Sequence, residues 1–249
     1  MKACVIIPAR FASSRFPGKP LAKLNGKEMI LWVAENCSKA VKPSNVYIAT
    51  DDKKISDIVI KKGFKVIITT SDLLTGTDRV AQASKNLNYE IFINVQGDEP
   101  LIDHRDIIRA IDLKRKYPES IINSYCPIGK NESPNNKNIP KVAITENDDL
   151  IYISRSAIPQ SKKNLNNYIF KKQVCIYAYS KSDLNKFLAF GRKSELEKIE
   201  DIEILRFFEL GMNIKMYEAS KSSLAVDIPE DVELVEKELL RKINFHEKI

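Results

Sequence analysis

The chain has 249 residues, 43% of them hydrophobic and 29% charged, with a formal net charge of +7. That balance excludes disorder as the main state and a miniprotein that depends on disulfides or metal for its fold. No run approaches the roughly 18 apolar residues of a membrane span, and the start lacks the pattern of a signal peptide. Cys4, Cys37, Cys126 and Cys175 are far apart with no C-x-x-C, so neither a zinc site nor a disulfide framework is expected. A reducing, cytoplasmic setting follows. Between residues 2 and 27 there are six basic residues and no acidic one. The lysines elsewhere are scattered and read as solvated surface. Basic patches interleaved with aromatics, the mark of a nucleic-acid binder, are absent.

In chain order, residues 3–8 form a short apolar run expected to be a buried strand. Residues 28–40 read as a helix and 45–50 as a strand. Residues 53–62 read as a helix stopped by Gly63. A strand at 64–69, a helix at 78–87, a strand at 90–95 and a helix at 103–117 complete the alternation. This pattern predicts an α/β fold, a mostly parallel sheet with helices on both faces. The pattern then changes. Residues 120–128, 141–145, 150–154 and 173–180 read as strands with no helix between them, and 129–140 and 159–168 as loops. The region at about 120–180 is expected to be an inserted antiparallel element in a single domain spanning 1–249. Helices are expected at 183–190, 196–210 and 229–242, with a strand at 213–218.

Ligands of open parallel sheets bind at the carboxyl ends of the strands. The first such end is Pro8-Ala9-Arg10-Phe11-Ala12-Ser13-Ser14-Arg15-Phe16-Pro17-Gly18-Lys19-Pro20-Leu21. Cations among small residues suit a polyphosphate cradled by backbone amides; a basic surface loop is the alternative. The P-loop and G-x-G-x-x-G patterns are both absent. The second is Asn94-Val95-Gln96-Gly97-Asp98-Glu99-Pro100, where Asp98 is either a magnesium ligand or a turn residue. In the third, Ala225-Val226-Asp227-Ile228-Pro229, Asp227 is either a second metal carboxylate or a cap. The hydroxyl-rich loop at 69–79 is open to contacting a base or ribose, or to serving as a helix cap through Thr77. His104 and His246 offer no catalytic triad. The acidic residues Glu195, Glu197, Glu200, Asp201, Glu203 and Glu209 read mostly as a solvated helix face.

These segments, together with Ala49-Thr50-Asp51-Asp52, Thr75-Gly76-Thr77-Asp78-Arg79, Tyr152-Ile153-Ser154-Arg155-Ser156-Ala157-Ile158-Pro159 and Ile176-Tyr177-Ala178-Tyr179, resemble the CMP-KDO synthetase (3-deoxy-manno-octulosonate cytidylyltransferase) family in order along nearly the whole chain. The resemblance implies a nucleotidyltransferase fold and a homodimer formed through the antiparallel element. It implies CTP and an acid sugar as substrates, Mg2+ as cofactor and a place in lipopolysaccharide biosynthesis. Pro8, Ala9, Arg10, Ser13, Arg15 and Lys19 are then expected at the nucleotide, with Thr75, Gly76 and Arg79 near the cytidine. Asp98 and Asp227 match the metal carboxylates, and Lys19, Arg15, Asp98 and Asp227 the catalytic set. Gln96, Arg155, Gln173, Tyr177, Glu203 and Ile204 are expected on the sugar side. Two of these depart from the family pattern: Gln173 stands where a histidine is usual, and Ile204 where a glutamine is usual. The expected sugar is KDO; an 8-amino-KDO or another ulosonic acid is the alternative. A non-catalytic nucleotide-binding protein is a more distant one.

Overall fold

The computed structural model describes residues 1–12, 16–129, 132–162, 168–220 and 224–246. The first apolar run is β1 (Ala3–Ala9). Its side chains alternate: Val5 and Ile7 enter one apolar layer, Cys4 and Ile6 the other. After a basic loop, a 3-10 turn at Lys19–Leu21 and a small hairpin, β2 (Lys23–Leu24) and β3 (Lys27–Glu28), lead into α1 (Met29–Cys37). The expected alternation follows as β4 (Val46–Thr50), α2 (Lys53–Lys61), β5 (Lys65–Ile68), α3 (Gly76–Ser84), β6 (Ile91–Val95) and α4 (His104–Lys116). The side chains of Asp52, Thr75 and Asp103 accept amide hydrogen bonds at the starts of the three later helices, which fixes where each begins. The cap of α3 is therefore Thr75, not Thr77.

Then come β7 (Ile121–Pro127), β8 (Lys141–Ile144), β9 (Leu150–Ser154) and β10 (Lys171–Tyr179). The chain ends through α5 (Lys181–Ala189), α6 (Glu195–Glu200), α7 (Ile204–Glu209), β11 (Ile214–Glu218) and α8 (Asp231–His246). The main path of the sheet runs β11-β7-β10-β6-β1-β4-β5. Neighbours are parallel except that β10 runs against both β7 and β6. The middle region is thus woven into the sheet, and only the β8–β9 hairpin lies off the main path. Helices α1, α2 and α4 cover one face; α3, α5 and α7 cover the other.

The single helix expected at 196–210 is two helices. Asp201 adopts a left-handed conformation (φ +51°) and ends α6. A short aspartate tolerates that region better than most residues. The break redirects α7, so that Ile204, Leu205 and Arg206 all point into the protein. Among the described residues, no helix is long and apolar enough to cross a membrane.

Candidate active site

A cavity of about 540 Å³ opens where the strand-end argument places it. Pro8, Ala9 and Arg10 line it from the end of β1, Leu73, Leu74 and Thr75 from the β5–α3 loop, Gly76 and Arg79 from the first turn of α3, and Gln96 to Asp98 from the end of β6. Lys19, Pro20, Met29, Lys137, Asn138, Arg155, Lys193, Glu197, Asp201, Ile202 and Glu203 form the rest of the wall. Its size suits a nucleotide-sized ligand.

Lys19 is aimed by local backbone geometry. Gly18 sits at φ +70°, a region that L side chains resist, and its amide donates to the Phe11 carbonyl at 2.9 Å. This closes the basic loop and starts the 3-10 turn at Lys19. The Lys19 ammonium then meets the Asp98 carboxylate and lies 3.8 Å from Asp227 Oδ1. A backbone bond brings the two carboxylates together: Val226 N–H donates to the Asp98 carbonyl at 3.0 Å. Asp227 is held in turn by its own amide, which donates to Asp231 Oδ2 at 2.8 Å. Among the described residues, no group of three or more His, Cys, Asp or Glu side chains forms a metal cluster. The charged centre is therefore two carboxylates and one ammonium.

The start of α3 forms a second wall. Thr75 Oγ1 accepts from the Asp78 amide at 3.1 Å and donates to Asp78 Oδ2 at 2.7 Å. Glu203 reaches across from α7. Its carboxylate accepts from Gly76 N–H at 3.0 Å, from Thr77 N–H at 2.7 Å and from the Thr77 hydroxyl at 2.5 Å. These are the orphan donors of a helix N-terminus. Burial pushes the Glu203 pKa up, and the hydrogen bonds from Thr77 and Gly76 oppose that without reversing it. A Cβ on Gly76 would come within 3.2 Å of the Gln96 side chain, so glycine allows this close approach. Arg79 is buried, fixed by Thr69 and by Asp51 Oδ2 at 3.2 Å.

A sequence model described as cytidylyltransferase matches residues 4–214. The 8-amino-3,8-dideoxy-manno-octulosonate cytidylyltransferase of Shewanella frigidimarina is 39% identical over 96% of this chain and 99% of its own length. The 3-deoxy-manno-octulosonate cytidylyltransferase of Leptospira interrogans is 39% identical over 92% of this chain and 93% of its own length. The chain belongs to the cytidylyltransferase family. A solved CMP:2-keto-3-deoxy-manno-octonic acid synthetase, complexed with CTP, superposes with a TM-score of 0.89 at 34% identity, covering 97% of this chain and 100% of that one.

In this cytidylyltransferase, Pro8, Ala9, Arg10, Lys19, Thr75, Gly76, Arg79, Gln96, Asp98, Arg155 and Glu203 share the cavity. Asp227 joins through Lys19. Ser13 and Arg15 lie outside the described residues. Three sugar-side expectations do not line the cavity. Ile204 is only 1% exposed and packs in the apolar layer of α3, α5 and α7, because the helix break turns it inward. Tyr177 is buried and stacked on Tyr179, with ring centroids 6.0 Å apart. Gln173 donates through Nε2 to Asn123 Oδ1 at 2.9 Å. That buried asparagine in turn donates to the Val174 and Ile176 carbonyls, at the irregularity in β10.

Arg155 reaches the wall, but its guanidinium is already engaged. It donates to the carbonyls of Glu200, of Lys137 at 2.9 Å and of Asp201 at 2.9 Å. The sequence reading missed Lys137, Asn138, Lys193 and Asp201. The first two fall in the asparagine- and lysine-rich stretch read only as a loop. The acidic residues at 195–209, expected mostly on a solvated face, are largely engaged within the protein. Glu197 pairs with Arg206, Glu200 accepts from the Ser154 hydroxyl at 2.7 Å and the Arg155 amide at 2.8 Å, and Glu209 accepts from the Leu196 amide.

Proposed function

We propose that this chain transfers the cytidylyl group of CTP to the anomeric hydroxyl of a 2-keto-3-deoxy sugar acid of the octulosonate class, KDO first among them, and releases pyrophosphate. The observation that carries the reading is the convergence of Lys19, Asp98 and Asp227 beside a nucleotide-sized cavity at the strand ends. The sugar oxygen forms a bond to the α-phosphorus, the bond to the bridging oxygen of pyrophosphate breaks, and the hydroxyl proton is lost. Such a transfer needs in-line placement and charge neutralisation. Arg10 and Lys19 neutralise the phosphates. Thr75 and Gly76 flank the cytidine, and Arg79, held by Asp51, fixes the shape of their loop. Gln96 and Arg155 face the sugar acid, which the conformation of Arg155 admits once it gives up a carbonyl.

The residues fit a magnesium ion. Two carboxylates already share one cation, the Lys19 ammonium, which stands in for a metal. Magnesium commonly takes one or two protein carboxylates and completes its shell with phosphate and water. Asp98 and Asp227 would hold it, and when bound it would neutralise phosphate charge and favour ionisation of the sugar hydroxyl.

A second reading, an 8-amino octulosonate, is favoured by the Asp201 carboxylate in the cavity wall, 3.0 Å from Lys193 Nζ. An amino group carries the charge that such an acceptor pairs with. A homodimer through the antiparallel region is supported by the exposed Ile151 and Ile169. A nucleoside triphosphate substrate supports a cytoplasmic setting, and the product would serve lipopolysaccharide assembly. The test is magnesium-dependent pyrophosphate release from CTP with KDO, 8-amino-KDO and a sialic acid in parallel. Release with KDO supports the first reading, and release with the amino sugar alone supports the second. No release with any of the three refutes both.

A further inference from the structure

The Lys19 ammonium sits where a divalent ion would have to go. It contacts Asp98 and lies 3.8 Å from Asp227. The loop closure at Gly18 and the 3-10 turn hold the root of the side chain, while the four-carbon stem leaves the charged tip able to move. The Val226–Asp98 backbone bond holds the two carboxylates side by side whatever cation they share. A divalent ion entering this site would meet a positive charge already in contact with Asp98 and 3.8 Å from Asp227. Like charges at such separations repel strongly in a partly buried setting. The Lys19 side chain is only 14% exposed, so solvent screens the repulsion incompletely.

We infer that Lys19 is a placeholder cation that keeps the metal site closed until the nucleotide arrives. The triphosphate supplies a new anionic partner for the ammonium. Lys19 leaves the carboxylates for the phosphates, and Asp98 and Asp227 become available to the metal. Nucleotide and metal therefore bind with positive coupling, and each tightens the other by the same factor. The free protein holds divalent ions weakly although both carboxylates are present and adjacent. This inference rests on the proposed nucleotide and metal reading of the site.

The test uses Mn2+ as the probe, with free Mn2+ measured by electron paramagnetic resonance and no sugar present, so that no turnover occurs. Wild-type protein is compared with Lys19→Met and with Lys19→Arg, each with and without CTP, after allowance for Mn2+ bound by free CTP. Without nucleotide, Lys19→Met is expected to bind Mn2+ at least about tenfold more tightly than wild type. Lys19→Arg, which keeps the charge, is expected to stay within about threefold of wild type. The tightening of Mn2+ by CTP should shrink in Lys19→Met by the factor already gained. Unchanged or weaker Mn2+ binding by Lys19→Met overturns the placeholder role. Adding Asp98→Asn to Lys19→Met separates the two levels of the argument. Loss of the tight site places the ion on Asp98, as the inference requires. Retention of it shows that the ion lies elsewhere and overturns the metal reading together with the inference.

Discussion

Arg206 offers the most quantitative test of how this site is supported. Its side chain is fully buried between α3 and α6. Nη1 and Nη2 donate to the two Asp78 oxygens at 2.8 and 3.2 Å, while Nε and Nη2 donate to the two Glu197 oxygens, both at 2.7 Å. The guanidinium also lies over the Phe187 ring, 3.8 Å from its centroid. Burial alone would lower the Arg206 pKa, but the two carboxylates outweigh it and raise the value. The charge is therefore permanent in the working range. Arg206→Met keeps the apolar stem and removes the charge. Two buried carboxylates are then left facing each other without their cation. Asp78 keeps the Thr75 hydroxyl at 2.7 Å, and Glu197 keeps the Ser194 amide at 3.0 Å, so neither is stripped of every partner. Removing one member of a buried pair costs about 3–5 kcal/mol. At roughly 2–4 °C per kcal/mol for a chain of this size, the melting temperature should fall by about 6–20 °C. Urea unfolding and calorimetry measure both quantities. The triple variant Asp78→Asn/Glu197→Gln/Arg206→Met should recover at least about half of the loss, because no charge is left uncompensated. A loss below about 1 kcal/mol in Arg206→Met, a value ordinary for an exposed pair, would refute the claim that this network supports the wall.

Four further outcomes are expected. Asp98→Asn should abolish pyrophosphate release and leave the far-ultraviolet circular dichroism unchanged; near-normal turnover by the folded variant would remove Asp98 from the chemistry. Thr75→Ala should cost about 1 kcal/mol in urea unfolding, the usual worth of an N-cap, and raise the KM for CTP; an unchanged KM would detach the start of α3 from the nucleotide. Arg155→Lys exchanges a fork that reaches three carbonyls for a single ammonium. The KM for the sugar should rise at least about tenfold while that for CTP moves less than about twofold, and equal changes in both would argue against a sugar-side role. For Glu203, burial raises the folded-state pKa above the unfolded value. Its contribution is then fully present below the unfolded pKa and is lost as pH rises through the folded one. The stability of wild type relative to Glu203→Gln should therefore decline as pH rises above the ordinary glutamate pKa in urea titrations. A difference that grows with pH would show that the three donors outweigh burial.

The first hundred residues were legible because local signals there agree with tertiary burial. The alternation in β1 and the amphipathic spacing of Ile55 and Val59 in α2 point to the faces these residues occupy. Asp52 and Asp103 cap where an aspartate before a helix should. Asp98 stands out because ligand chemistry at a parallel sheet gathers at strand ends, and it lies just beyond β6, whereas Lys19 sits at the end of a long basic loop and Asp227, expected at a strand end, lies in the connection between β11 and α8, beside Asp98 through Val226. Legibility fails beyond Glu195. Neither glycine nor proline marks the break at Asp201, and the apolar spacing of Leu196, Ile199, Leu205 and Phe208 continues through it. Read as one helix, Glu197 and Arg206 are nine positions apart and have no reason to meet. Only the turn between α6 and α7 brings them together, and the same turn buries Ile204. Gln173 illustrates another limit. Nothing local to β10 shows that its partner is Asn123, because that pairing is set by the register of β10 on β7.

Most of the charged groups in the cavity wall are already matched within the protein. Lys19 is matched by Asp98, Arg79 by Asp51, Lys193 by Asp201, Glu197 by Arg206, and the Arg155 guanidinium by three carbonyls. An anionic substrate therefore enters by exchanging partners. Each new ion pair is offset by one that is given up, so net affinity stays moderate even though the wall is rich in charge. Discrimination has a different origin. A substrate that displaces Asp98 from Lys19, or a carbonyl from Arg155, must offer its own acceptor in the same place, or a partly buried cation is left without a partner. The penalty for a misplaced acceptor is then larger than the gain from a well-placed one. On the proposed reading, discrimination of the sugar falls to Arg155, Lys193 and Asp201, whose partners in the cavity wall can be exchanged. Gln173 and Ile204, the two positions that depart from the family pattern, have contacts fixed within the fold, to Asn123 and in the apolar layer under α3.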